Sequence, residues 1–257
     1  MVRNLILIKL GGSVITFKEK PLTANFEAIN NISRILASLK IPLIIVHGGG
    51  SFGHHLSIKY NMHTRPDQYD PHGISVVHES MIALNQVIVN SMIKVGMNPY
   101  AIMPSNFTLA HKPIAKKIKE LQSIAEDSII PITFGDIVHI RNRTYSIVSG
   151  DALMSILSKT LRPSKVIFTL NVDGIYKDMN KKEVLKELDN INNSINFSKV
   201  VQDVTGGMRR KVTEALKICG SGMDVFMING LKPERIANAI TNTEFEGTVL
   251  KGLRSSK

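Results

Sequence analysis

Two short apolar runs that stop at glycine constrain this chain more than any other feature. LILIKL (5–10) runs into Gly11-Gly12-Ser13, and PLIIVH (42–47) runs into Gly48-Gly49-Gly50. Between them Phe26, Ile29, Ile32, Ile35, Leu36 and Leu39 recur at a helical period over 24–39. A short continuous apolar run suits a strand buried on both faces, and a helix between two such runs makes a crossover between parallel neighbours. The pattern predicts βαβ units around a mostly parallel sheet.

The alternation continues. Residues 73–95 read as a long helix with Val76, Val77, Ile82, Leu84, Val87 and Ile88 on its inner face, and Tyr100–Met103 and Ile129–Thr133 read as strands. DIVHIRNRTYSIVS (136–149) reads as a hairpin turning at Arg141-Asn142-Arg143. A helix follows Gly150-Asp151 to about Lys159, and KVIFTL (165–170) is a buried strand ending in the turn Asn171-Val172-Asp173-Gly174. The Asn- and Lys-rich stretch 178–198 reads as an exposed excursion. A helix is expected from Thr205-Gly206-Gly207 to about Cys219, and MDVFMI (223–228) as the last long strand. The expected division is two lobes of one continuous sheet, 1–160 and 161–257.

Bulk properties exclude several classes. With one cysteine, Cys219, no disulfide within the chain is possible, which suits a reducing compartment. The apolar run 5–8 is broken by Lys9, too short for a signal-peptide core, and nothing approaches the roughly 20 apolar residues of a membrane span. A cytoplasmic protein without membrane contact is expected. The net charge of +11 raises nucleic acid as a partner, but aromatic residues are 5% of the chain and Trp is absent. Apart from Lys116-Lys117, Lys181-Lys182 and Arg209-Arg210-Lys211 the cations are scattered, so no nucleic-acid partner is expected.

The glycines carry the chemistry. Gly48-x-Gly50-x-x-Gly53 matches the dinucleotide fingerprint, yet it follows the second strand, and the acidic residues about 20 positions on, Asp67 and Asp70, lie in a proline-bearing loop. That argues against a nicotinamide site. A Walker motif is missing. Instead three glycine sites, Gly11-Gly12-Ser13, Gly48-Gly49-Gly50 and Gly206-Gly207, stand at strand ends or a helix start. There the backbone approaches an oxyanion closely and a helix dipole favours negative charge. Lys9 and Lys18 flank the first, while Arg209, Arg210 and Lys211 follow the third. Each alone is an ordinary tight turn; together with lysines they point to a polyphosphate.

KLGGSVITFK, VHGGGSFGH, VSGD, TLNVDGIY and TGGMRRK occur in the order seen in the amino acid kinase superfamily, which the chain resembles from residue 5 to about 250. The histidine after GGGSFG is similar to that of its isopentenyl phosphate kinase branch. The resemblance implies an αβα sandwich with an open, mostly parallel central sheet, and a homodimer. Its N-terminal lobe would hold the phosphate acceptor and its C-terminal lobe Mg-ATP. It implies that Lys9, Gly11, Gly12 and Ser13 contact the ATP phosphates, that Lys18 stabilises the transferring group and that Lys211 assists. Gly49 and Gly50 would lie between the two phosphates. Gly53, His54 and Gly150 would meet the acceptor, and Asp151 would orient the lysines. Asp173, Tyr176 and Asp178 would hold the base and ribose, with Gly206 and Gly207 at the nucleotide.

Mg²⁺ is expected to arrive with ATP; the eight histidines show no metal-ligand spacing, so no protein-held metal is expected. Asp203 is either a helix cap or a metal contact. Val77, Met81, Ile82, Leu84, Met103 and Ile147 are candidates for an apolar pocket around the acceptor's tail. His47 is expected as a turn residue, and His55 as structural or exposed. Fosfomycin, UMP or a carboxylate remain alternative acceptors, and a non-catalytic phosphate sensor remains an alternative class.

Overall fold

The computed structural model describes residues 4–109, 112–178, 183–189 and 206–253. Strands β1 (Ile6–Leu10), β2 (Leu43–His47), β3 (Pro99–Ala101), β6 (Ile130–Phe134) and β9 (Lys165–Leu170) belong to the main sheet, with β12 (Glu187–Asp189), β13 (Val225–Asn229) and β14 (Gly247–Lys251). Two-residue strands β4 (Thr108–Leu109) and β5 (Lys112–Pro113) form a small pair. So do β7 (Asp136–Arg141) with β8 (Thr144–Val148), and β10 (Tyr176–Asp178) with β11 (Glu183–Val184). The helices are α1 (Gly12–Ile15), α2 (Phe26–Leu39), α3 (Gly50–Lys59), α4 (Pro71–Lys94), α5 (Ala115–Glu126), α6 (Gly150–Leu161), α7 (Gly206–Cys219) and α8 (Glu234–Thr241).

The eight main strands run in the order β12-β14-β13-β9-β1-β2-β6-β3. All pairings are parallel except β13 with β14. Period-2 alternation divides the core into two layers. Leu5, Leu7, Ile44, Val46, Val166 and Phe168 pack on α5, α6 and α7. Ile6, Ile8, Leu43, Ile45 and Ile167 pack on α2, α4 and α8. The αβα sandwich with its open, mostly parallel sheet is thus the fold, as the apolar runs require.

Local chemistry sets the boundaries. The Asn25 side chain accepts from the Ala28 amide and caps α2, and Asp70 accepts from Gly73 to cap α4 behind Pro71. The β7–β8 hairpin turns at Asn142 and Arg143, both left-handed at φ 48° and 62°, the requirement of a type I′ turn.

Two expectations need correction. MDVFMI is not the last long strand, because β14 follows it and pairs antiparallel with β13. The stretch 178–198 is not wholly an exposed excursion: Glu187–Asp189 forms the sheet's edge, with Leu188 buried against the core. Residues 179–182 and 190–198 of that stretch, together with Asp203, lie outside the described residues. Gly50–Lys59 is a helix, an element that the apolar pattern of the sequence does not announce.

Candidate functional site

β1 is the switch point of the sheet, with β2 on one side and β9 on the other. Ligands in open α/β sheets bind outside the carboxyl ends of strands at such a point. A cleft of about 540 Å³ opens there, lined from the ends of β1 and β2, from the turn after β6, and from the N-termini of α1, α3, α6 and α7.

Its floor is backbone. Gly12 sits directly against Gly50, and a β-carbon on Gly12 would overlap the Gly50 amide and Cα. Gly50 itself is left-handed, φ +50°, with the Thr16 side chain where a β-carbon would go. Thr16 Oγ1 donates to the Gly12 carbonyl at 2.7 Å and accepts from the Ser51 amide at 2.9 Å. The first two glycine loops are therefore one bonded unit. Beneath them His47 is buried at the end of β2, its Nδ1 3.1 Å from the Gly48 carbonyl and its ring stacked on Phe134. Burial pushes its pKa down to about 4, so it stays neutral. It is a core residue supporting the loop more than a turn residue.

Cations crowd one wall. Lys9 is 2% exposed, and its Nζ lies 3.1 Å from Asp151 Oδ1. Arg210 Nε is 3.5 Å and Lys211 Nζ 4.0 Å from Asp151 Oδ2. Burial alone would raise the Asp151 carboxyl, but Lys9, Lys211 and Arg210 outweigh it and hold it below the ordinary value. Lys211 is pushed down to about 8, first by burial and then by Lys9. One carboxylate among three cations leaves the cluster strongly positive, with Lys18 adding a further charge from its exposed loop. Such a cluster is completed by an anion.

The opposite arm of the cleft is apolar: Ile58, Met62, Val77, Met81 and Ile147. His54 lies on α3 and also lines the cleft. At this arm Asp136 accepts from His78 Nδ1 at 2.7 Å. Burial raises the Asp136 carboxyl, and the bond to Asp136 raises His78.

Lys9, Gly12, Ser13, Lys18, Gly49, Gly50, Gly53, His54, Gly150, Asp151, Gly207 and Lys211 all line this single cleft. Among the described residues, three expected site residues, Gly11, Asp173 and Tyr176, are not part of its lining. Gly11 lies beneath the floor, and its amide donates to Thr169 Oγ1 at 2.9 Å, so it joins β1 to β9 instead of offering an N–H to an anion. Gly206 is the first residue of α7. Asp173 Oδ1 already accepts from Asn229 at 2.9 Å, Lys232 at 3.2 Å and Arg235 at 2.5 Å. The Asn229 bond, then those to Lys232 and Arg235, hold its carboxyl down to about 2. Tyr176 lies on β10 and is not among the lining, and Asp178 is the last residue of that strand. Among the tail candidates, Val77, Met81 and Ile147 line the cleft while Ile82, Leu84 and Met103 do not; Leu84 is in the α4 core.

Sequence reasoning missed Gly135, Asp136, Ser149 and Thr16, and left Arg210 outside the site. A signal existed: FGD (134–136) repeats the strand-Gly-Asp pattern of VSGD (148–151). Gly135 packs on the Gly150 amide, so the two turns meet as well. Among the described residues no group of three or more His, Cys, Asp or Glu side chains is arranged to hold a metal ion. No helix among them is long and apolar enough to cross a membrane.

Comparison with known proteins agrees with this arrangement. Residues 4–229 match the model of the amino acid kinase family. The chain is 32% identical over 253 residues to an isopentenyl phosphate kinase of Thermoplasma acidophilum, covering 96% of this chain and all of that protein. It is 30% identical to an isopentenyl phosphate kinase of Methanothermobacter thermautotrophicus, covering 96% and 99% of the two chains. The crystal structure of the Thermoplasma acidophilum isopentenyl phosphate kinase product complex superposes with a TM-score of 0.79 at 30% identity, over 96% of this chain and all of that one. A glycine-walled cationic cleft at the switch point of a parallel sheet, and similarity over nearly the full length, lead to one conclusion: this chain belongs to the amino acid kinase family.

Proposed function

We propose that the chain phosphorylates isopentenyl phosphate to isopentenyl diphosphate with ATP, by direct in-line transfer. The observation that carries this is the meeting of a cationic, glycine-lined floor with an apolar arm, with His54 also lining the cleft. A phosphate monoester has a second pKa of about 6, so its attacking oxygen is already anionic at neutral pH. No general base is then needed, which agrees with the two cleft carboxylates: Asp151 is engaged by cations and Asp136 by His78. What the reaction needs is two polyanions held together against repulsion.

Each step uses residues of this chain. The amides at Gly12, Ser13 and Gly50 with Lys9 and Lys211 bind the triphosphate. Gly49, Gly53, Gly150 and His54 receive the acceptor phosphate, and Ile58, Val77, Met81 and Ile147 exclude water around its tail. An acceptor oxygen bonds to the γ-phosphorus as the bond to the β,γ-bridging oxygen breaks, and ADP leaves. Lys18 stabilises charge on the group in flight, and Asp151 orients Lys9 and Lys211. The residues described do not form a protein-held divalent site, because the one carboxylate near the cations is already neutralised. Mg²⁺ is assigned to the nucleotide by family resemblance alone, and no step here is routed through it. Asp173, Tyr176 and Asp178 are assigned to the nucleotide's base and ribose by family resemblance alone. The same reading assigns residues 1–160 to acceptor binding and 161–257 to ATP binding, and makes the protein a cytoplasmic homodimer.

Coupled ADP release across isopentenyl phosphate, fosfomycin, UMP, glutamate and acetylglutamate tests the reading. Isopentenyl phosphate should give the highest kcat/KM, and His54→Ala should abolish its use while ATP still binds. Normal turnover by His54→Ala would remove the histidine from the site. ADP release with UMP or an amino acid, and none with isopentenyl phosphate, would overturn the substrate.

A further inference from the structure

We infer that His55, the neighbour of the cleft histidine, is a positioning residue for Lys18. The inference rests on the kinase reading and adds to it a residue that does not touch substrate. Successive residues on a helix project about 100° apart, so two adjacent histidines on α3 serve different directions. His54 lines the cleft. His55 turns to the neighbouring loop, where its Nε2 donates to the Lys18 carbonyl at 2.9 Å. The two rings meet edge to face, centroids 6.3 Å apart, so the acceptor histidine and the lysine's anchor share a contact.

The loop needs such an anchor. Lys18 is the first residue of an excursion closed at its base by Phe17, whose amide donates to the Thr23 carbonyl, and by the Thr16–Ala24 bridge. Ser51 of α3 ties the returning limb, its Oγ accepting from the Thr23 amide at 3.2 Å. His55 ties the outgoing limb at the lysine itself. Both limbs are therefore fastened to the helix whose N-terminus abuts Gly12. A long, flexible ammonium on an exposed loop gains reach from its side chain and direction from its backbone; fixing the backbone carbonyl sets the cone it sweeps.

The test compares His55→Phe, which keeps a ring and loses the donor, with His55→Gln, whose amide reaches the same distance. On active wild-type background, His55→Phe should lower kcat by about 10- to 100-fold with KM for both substrates nearly unchanged, the signature of a misplaced transition-state group. His55→Gln should recover most of that loss. In a Lys18→Ala background His55→Phe should change kcat less than about twofold, because its route to the chemistry is already gone. Wild-type kcat in His55→Phe overturns the inference, and so does an equal loss in both backgrounds. Should His55→Phe fail to fold, judged by its melting curve, His55→Gln against the shorter His55→Asn decides: equal kcat values overturn it. A wild-type protein silent toward isopentenyl phosphate would refute the parent reading instead, so the two failures are distinguishable.

Discussion

Lys211 offers the sharpest quantitative test of the cationic wall. Without an anion its ammonium is held down to about 8, mainly by burial and then by Lys9. A bound triphosphate favours the charged form, moving the group back toward its ordinary value of 10.5. Binding is then linked to proton uptake, and the sign follows: affinity is full while free Lys211 is protonated and falls as pH rises through about 8. Between pH 7 and pH 9.5 the free protein loses a factor of about 30 in the protonated form, while the complex loses almost none. The dissociation constant of ATP should therefore weaken by about 30-fold, roughly 2 kcal/mol. Isothermal titration calorimetry in buffers of different ionisation enthalpy reads both the constant and the protons taken up. Lys211→Arg keeps its charge throughout and should flatten the profile. A flat wild-type profile, or an identical slope in Lys211→Arg, would refute the assignment of the shift and of the residue's place at the phosphates.

Three further outcomes follow from other parts of the site. Lys18→Ala should lower kcat by about 10³-fold while ATP affinity, measured by calorimetry, changes little, because that contact matters mainly in the transition state; a proportional loss of affinity would make it a ground-state ligand. His47, at about 4 when folded and 6.5 when unfolded, contributes stability that is present above 6.5 and lost as pH falls toward 4. From pH 8 to pH 5 that loss is about 2 kcal/mol, so denaturant unfolding of His47→Gln should show a correspondingly shallower acid slope than wild type. Gly50→Ala places a β-carbon into Thr16 at a left-handed backbone, and should cost about 1–3 kcal/mol in a melting experiment and most of the activity; wild-type melting and turnover would show that the loop contact is slack.

How much was legible in the sequence depended on whether local signal and tertiary role coincided. β1, β2 and β9 read directly, because strands buried on both faces are apolar through most of their length. The glycines after β1 and β2 read as a phosphate floor for the same reason: each run follows a strand end. α3 did not read, although it carries His54. Its sequence GSFGHHLSIK has two glycines and little amphipathic pattern, and it is held by Ser51 bonding Thr16 and by buried Phe52. Those are contacts between segments far apart in the chain. Edge strand β12 was hidden for a similar reason, since Leu188 alone supplies its apolar face. Gly11 shows the converse limit: a motif names a turn without saying which of its amides remain free, and this one is spent on Thr169.

The abutment of Gly12 on Gly50 bears on how such a chain acquires new acceptors. With main chain touching main chain, no side chain stands between the two glycine turns, and their separation cannot be retuned by exchanging one residue for another. Diversification is left to the far rim, where α4 and the β7–β8 hairpin present Val77, Met81 and Ile147. Libraries aimed at altered cargo belong on that rim, with the paired turns kept untouched.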